Sequence, residues 1–289
     1  MRNDTATYYQ KIIDDILFYI NNNLAGDLSI KTLAEYSCIS HFHFHRLMKA
    51  ALNEPLGSYI DRVRLDTAAK LIRYSDETFL TIALKIGYKD LSSFSKAFSR
   101  EFGISPNDFK NDTTMILNTH VDYRIDEPGD IIADIKPKVK VIPDKDVIYI
   151  RVQGRYGAGE TMSAWNDLTK FLSGKKLLGW NPDVFSIYYS DPDEVGDENC
   201  ISDICAVIKK DVDLTGKIQK QKIEGGKFAA FKYKGPYERL WDVYNYIYKQ
   251  WLTTTNFKLR DKPIIEKYLT ISDKTKPEDT LTEIYLPIE

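Results

Sequence analysis

Cysteine is scarce in this 289-residue chain: Cys38, Cys200 and Cys205 are the three. An odd, sparse set without paired spacing excludes a disulfide scaffold and a cysteine-built metal site, and it implies a reducing compartment. Histidine is nearly as scarce, with four in all. His41 and His45 stand at i, i+4, a spacing able to hold a metal, but no Cys or carboxylate nearby completes a set. No Ser/His/Asp arrangement and no phosphate-cradling glycine loop is present. The chain is therefore expected to use no metal and no cofactor. The opening residues, MRNDTATYYQ, have no apolar core of a secretory signal. No apolar run approaches the roughly 20 residues that a membrane span requires. The expected location is the cytoplasm, with no membrane partner.

A surplus of one charge sign is also missing. The net charge is −2, so the chain as a whole does not advertise a nucleic-acid partner. Local stretches do. Residues 31–49 carry Lys31, Arg46 and Lys49 against Glu35 alone. Residues 85–100 carry Lys85, Lys89, Lys96 and Arg100 against Asp90 alone. Phosphate contacts respond to charge near the contact surface more than to the chain total.

Residues 8–112 read as successive helices. Apolar side chains recur at three-to-four spacing, as in Ile12, Ile16, Ile20 and Leu24, and breaks fall at Gly26, Ser40, Glu54-Pro55-Leu56-Gly57, Tyr74-Ser75-Asp76 and Gly87. Two segments have the form helix, tight turn, helix. In the first, 28–52, a helix from about Ile30 to Tyr36 precedes one capped by Ser40. Phe44, Leu47 and Met48 are expected inside, leaving His41, Phe42, His45, Arg46 and Lys49 to face DNA. In the second, 81–98, the turn centres on Gly87-Tyr88, and Asp90 caps a helix from Leu91 to Phe102. Phe94, Ala97 and Phe98 pack, leaving Leu91, Ser92, Ser95 and Lys96 outside. Such units place the second helix in a major groove, where an Arg fork spans two guanine acceptors.

The rhythm is lost over 113–136, read as a linker or arm around Glu127-Pro128-Gly129-Asp130. From 137 onward strands rich in Val, Ile, Tyr and Phe alternate with two helical segments. A repeat is visible: IYIRVQG at 148–154 matches AAFKYKG at 229–235, and each is followed by a helix with spaced aromatics and two further strands. FSIYY at 185–189 then matches IEKYL at 265–269. The expected architecture is multidomain: an all-α domain, 1–112, with two helix-turn-helix units joined by a long helix, then an α+β domain, 137–289, of two tandem βαββ repeats in an antiparallel sheet.

This second half is rich in Tyr and Trp, with Trp180 and Tyr244 among them. Tyr156, Trp165, Tyr188, Tyr237, Trp241, Tyr268 and Tyr285 are the candidate walls of an aromatic cavity, which binds flat or cationic molecules by stacking and cation–π attraction. Glu266 is the candidate acid. Strand alternation puts it on one face with Tyr268, and its repeat partner is Ser186, so it breaks the internal symmetry. Glu283, beside Tyr285, is a second candidate acid. On residues alone, core aromatics and a solvated strand carboxylate remain the alternative reading.

Three runs in 8–110 resemble the AraC/XylS family: LAEYSCIS with HFHFHRLMK; the connecting segment from Pro55 to Ile72; and IALKIGYKDLSSFSKAFSREFGISPNDFK. Residues 137–289 resemble the GyrI-like (Rob-type) effector-binding domain, through Lys234-Gly235-Pro236-Tyr237, the strand 264–269 and the ending TEIYLPI. The resemblance implies a bipartite domain gripping two successive major grooves, and gives Glu266 the base of a pocket for lipophilic, often cationic, molecules. One departure from the family is Ile271-Ser272-Asp273, where an Asp-Pro is usual. The implied function is a sequence-specific transcription regulator of promoter DNA, an activator working with RNA polymerase, and not an enzyme. Two alternatives stay open: a small-molecule hydrolase using Glu266, and a constitutive activator whose second domain binds a protein.

Overall fold

The computed structural model describes residues 6–111, 135–157, 159–177, 182–255, 257–270 and 275–289. Trp180, Ile271-Ser272-Asp273 and most of the 113–136 arm lie outside these. The chain divides into two compact units, one of residues 7–38 and 47–127, the other of residues 1–6, 39–46 and 128–289. The sequence boundary near 113–137 does not foresee that the short stretch Ile39–Arg46 belongs with the second unit.

The first unit is helical. Along the chain the helices are α1 (Ala6–Asn22), α2 (Ile30–Ser37), α3 (His41–Leu52), α4 (Leu56–Tyr74), α5 (Phe79–Lys85), α6 (Leu91–Phe102) and α7 (Pro106–Asn111); the first half of α3 lies in the other unit. One device starts three of them. The side chains of Ser29, Thr78 and Asp90 accept from the backbone N–H three residues on, in Thr32, Thr81 and Ser93, so each satisfies an otherwise orphaned donor. Leu65, Ala68 and Ile72 of α4 pack with Ile82 of α5, Phe94 and Phe98 of α6, and Phe109 of α7. Phe98 sits at the centre, its ring 5.6 Å from Phe94 and 5.3 Å from Phe109.

The turn between α5 and α6 depends on a glycine. Gly87 has φ of +93°, and a Cβ there would stand 2.4 Å from the Leu24 carbonyl oxygen. The Arg64 guanidinium donates twice to that oxygen, at 3.1 and 3.0 Å. No side chain fits between them.

The second unit is built on one eight-stranded antiparallel sheet. Its strands are β1 (Lys138–Ile142), β2 (Lys145–Gln153), β3 (Val184–Tyr188), β4 (Ile201–Val207), β5 (Gln219–Ile223), β6 (Gly226–Lys234), β7 (Ile264–Tyr268) and β8 (Leu281–Pro287). The order is β1-β6-β8-β7-β3-β4-β2-β5. Exchanging β1–β4 with β5–β8 in rank reproduces the same order reversed. Each half therefore contributes one strand more than the repeat pattern suggests, since β1 and β5 precede the matched segments. Those added strands are exchanged: β1 pairs with β6, and β5 with β2. β1 and β5 run Lys-Val-Lys-Val-Ile and Gln-Lys-Gln-Lys-Ile; their mostly exposed, lysine-rich pattern suits sheet edges.

Helix α8 (Gly159–Gly174) covers one face of the first half, packing Ala164, Leu168 and Leu172 on Ile148, Ile150 and Ile204. A short helix, α9 (Pro192–Val195), follows β3. In the second half the expected single helix is segmented. A 3₁₀ turn at Tyr237–Arg239 leads into α10 (Leu240–Asn245), a π-helical turn at Tyr246–Trp251 and α11 (Leu252–Thr254). Wider π turns of this kind recur at functional sites.

Replacing Gly87 with Ala is expected to cost about 1–3 kcal/mol, through left-handed strain and the clash with the Leu24 carbonyl. Gly57→Ala, in α4 with open space around it, is expected to be neutral or to stabilise by up to about 1 kcal/mol. Urea denaturation of the two variants checks the contrast.

Candidate functional site

The pseudo-twofold axis of the sheet falls between β3 and β7, where Ser186 lies directly opposite Glu266. Both are buried, at 0% and 5% exposure. Equivalent positions of the two halves thus meet at one point, and there one carries a hydroxyl and the other an acid. Mid-strand alternation points Glu266 and Tyr268 to the helix-covered face, as the sequence pattern requires.

Phenols surround this acid. Tyr244, on α10, donates to Glu266 Oε1 at 2.5 Å, and Tyr268 donates to Oε2 at 3.2 Å. The Tyr268 and Tyr188 hydroxyls share a further hydrogen bond of 2.9 Å. From this centre ring contacts spread outward. Trp165 of α8 and Tyr237 both meet Tyr268 edge-on, at 5.4 and 5.6 Å. Tyr156 meets Tyr188 edge-on at 4.7 Å, and Trp241 stands 6.5 Å from Tyr244. Tyr237 and Trp241 are partly exposed, at 44% and 39%, and form the outer rim. Six of the seven aromatics chosen from sequence are therefore joined to Glu266 directly or through one or two intervening rings.

Tyr285 is not among them. The register Glu266↔Ile284 and Ile265↔Tyr285 places Tyr285 on the opposite face of the sheet. Glu283 lies there too, held by Lys140 at 2.6 Å and by the Tyr285 hydroxyl. The reason is strand parity: β8 meets β7 with Ile284, not its neighbours, beside Glu266. That opposite face holds a cavity of about 40 Å³ lined by Asp183, Phe228, Ile265, Lys267 and Tyr285. Such a volume suits water rather than a drug-sized molecule, which needs several hundred Å³ (roughly 300 or more).

Burial raises the Glu266 carboxyl above its ordinary range, an effect only partly offset by the Tyr244 and Tyr268 hydrogen bonds and by Arg46. Burial, together with the Glu266 charge, also pushes Tyr244 well above an ordinary phenol, so these hydroxyls stay protonated and able to donate. Asp203, fully buried on the other face, is treated differently. It takes a two-pronged donation from Arg151 at 2.8 and 2.9 Å, plus the Tyr189 hydroxyl. Glu266 is instead solvated by neutral donors.

The residues expected to face DNA divide into two groups. On α6, Leu91, Ser92 and Lys96 are exposed and Ser95 half-buried, while Phe94 and Phe98 are fully buried. On α3, His41 is exposed, and Phe42 and Lys49 are half-buried. His45 and Arg46 depart from expectation. His45 is 2% exposed, its Nδ1 3.1 Å from Asp191 Oδ2. Arg46 Nε stands 3.8 Å from the same carboxylate, and its guanidinium carbon lies 5.3 Å from the Tyr244 ring centroid. Ser40 does not cap α3 with its side chain but donates to Asp261 at 2.7 Å. His43 bonds through Nδ1 to the buried Tyr248 hydroxyl at 2.7 Å, and burial lowers its pKa to about 3. These partners are more than 140 residues away along the chain, and no local spacing signals them. Tyr244 was visible as one aromatic among many; its direct bond to the acid was not.

A model of the GyrI-like small molecule binding domain matches residues 135–289, and a helix-turn-helix domain model matches 33–112. The regulatory protein SoxS of Escherichia coli (strain K12) is 31% identical over 103 residues, 36% of this chain and 96% of SoxS. The right origin-binding protein of the same organism is 22% identical over 289 residues, 96% of this chain and 98% of that protein. The chain belongs to the AraC/XylS family. This AraC/XylS protein is a DNA-binding transcriptional activator carrying a GyrI-like domain. Its second half is also similar to a Listeria innocua protein described as a hydrolase, at 17% identity and a TM-score of 0.41, over 54% of this chain and 92% of the other. A likeness of that strength carries no inference about chemistry. No helix among the described residues is long and apolar enough to cross a membrane, and the described residues contain no group of three candidate metal ligands.

A carboxyl whose pKa is raised by folding holds its proton more tightly in the folded chain than in the unfolded one. Its stabilising contribution is complete below the unfolded value, near 4.5, and is lost as pH rises through the higher folded value. In this regulator Glu266→Gln removes that loss. The stability difference, variant minus wild type, is expected to grow in the variant's favour as pH rises from about 4.5 and then level off. Denaturant titrations across pH 4–8 check the trend.

Proposed function

We propose that this regulator reads DNA with two helix-turn-helix units, α2–α3 and α5–α6, and responds to a small lipophilic cation bound among the aromatics around Glu266. The single observation that carries the second part is a carboxyl, 5% exposed, solvated by phenols on the symmetry axis of the sheet. Placing a negative group in an apolar site costs free energy that an incoming cation offsets, while the rings offer π faces. Tyr156, Trp165, Tyr188, Tyr237, Trp241 and Tyr268 form the wall of this site. The ligand's differential affinity for two states of the chain then biases DNA engagement and, through it, RNA polymerase at the promoter.

On the DNA side, Leu91 and Ser92 at the start of α6 are suited to close approach in a major groove, with Lys96 placed for a phosphate. His41, Phe42 and Lys49 supply the corresponding face of α3, together with His45 and Arg46 when these are released. The cytoplasm is the setting for this work.

Two measurements test the proposal. Isothermal titration of tetraphenylphosphonium should show saturable binding that Glu266→Gln weakens at least about tenfold, the equivalent of about 1.4 kcal/mol. Undiminished binding in that variant would exclude Glu266 as the acid. Lys96→Ala should weaken promoter binding and reduce the slope of log affinity against log salt by about 1; an unchanged slope would remove Lys96 from the interface.

A further inference from the structure

Arg46, one of the two cationic residues of α3 expected to face DNA, instead lies against the aromatic site. The Arg46 guanidinium lies 5.3 Å from the Tyr244 ring centroid, and Tyr244 is the residue that donates to Glu266 Oε1 at 2.5 Å. The Arg46 guanidinium thus stands one ring away from the Glu266 carboxyl, with Tyr244 between them. Three further contacts hold the first half of α3 and the residue before it in place. His45 faces Asp191 at 3.1 Å, His43 bonds to Tyr248 at 2.7 Å and Ser40 donates to Asp261 at 2.7 Å. Tyr244 and Tyr248 are one turn apart on the segmented helix, so both grip α3 from one face.

These contacts carry a consequence for DNA. Reading a base requires a side chain to extend into a groove about 12 Å wide, which admits a helix but not a helix with a sheet unit against it. His45, at 2% exposure, and Arg46, with 10% of its side chain exposed, are not available for that in this conformation. Ile39–Arg46 also partitions with residues 128–289 rather than with the helices that flank it in sequence.

We propose that Arg46 is a built-in stand-in for the cationic ligand: α3 and the ligand compete for the Glu266 site, and ligand binding frees α3 to enter DNA. The proposal rests on the ligand reading above and supplies its mechanism of regulation. It requires no long relay, because the input site and one output element share a side chain. Linkage makes the competition reciprocal: what loosens α3 tightens the ligand, and DNA that captures α3 does the same.

The test uses the full chain and two readouts. The first needs no ligand. Asp191→Asn and Tyr248→Phe weaken the grip on α3 without touching residues proposed to contact DNA. Each should tighten binding to a fluorescent promoter duplex, and the double variant by about fivefold or more, the lower end of ordinary coupling between sites. Unchanged or weaker DNA binding in a double variant that keeps a cooperative unfolding transition would overturn the proposal. The second readout is tetraphenylphosphonium affinity. Arg46→Met removes the resident cation and should tighten this probe several-fold, whereas a merely structural arginine would leave it unchanged or weaken it. If wild type binds the probe and Arg46→Met binds it no better, the competition is refuted. If neither binds it, the lipophilic-cation reading fails, while the duplex experiment still decides whether α3 is held back.

Discussion

A carboxylate cannot lie at the middle of a sheet without something to solvate it. In this chain Glu266 is that group, and much of the second unit is arranged to meet its demand. Tyr268 approaches from its own strand, Tyr188 from the neighbouring strand across the symmetry axis, and Tyr244 from the helix above. Neutral hydroxyls satisfy the oxygens but do not cancel the charge, which is why burial still raises the carboxyl. A full salt bridge, of the kind Arg151 forms with Asp203, would quench it. The difference between those two buried acids separates a structural ion pair from a site with residual demand for a cation.

The strand order explains where that demand is placed. Pairing of β3 with β7 joins the two halves into one continuous sheet, so the axis between them lies within the sheet and not at an edge. Duplicated halves would put the same residue type on both sides of this axis. Ser186 facing Glu266 breaks the match and leaves a single charge where two would repel. The helix over the second half, unlike its counterpart α8, widens into a π turn just beyond Tyr244 and carries Tyr248 within it. The asymmetry of the strands and that of the helices therefore converge on one spot.

Local patterns were readable wherever the cause was local. The cap at Asp90, the turn at Gly87, the burial of Phe94 and Phe98, and the shared face of Glu266 and Tyr268 all follow from spacing within a few residues. Tyr285 was misplaced because parity along β8 says nothing about its register against β7. The cover over His45 and Arg46 is not legible because amphipathic spacing identifies a polar face and not what lies against it; Asp191 and Tyr244 do so from far along the chain. The added strands β1 and β5 escaped notice because lysines and glutamines occupy them, and edge strands are written in polar residues.

One observation tests the central claim most directly: a crystal structure of the full chain soaked with tetraphenylphosphonium. The expected result is the phosphonium among Trp165, Tyr244 and Tyr268 beside Glu266, with the Arg46 guanidinium displaced from the Tyr244 ring. A phosphonium bound elsewhere, with Arg46 still over Tyr244, would contradict it.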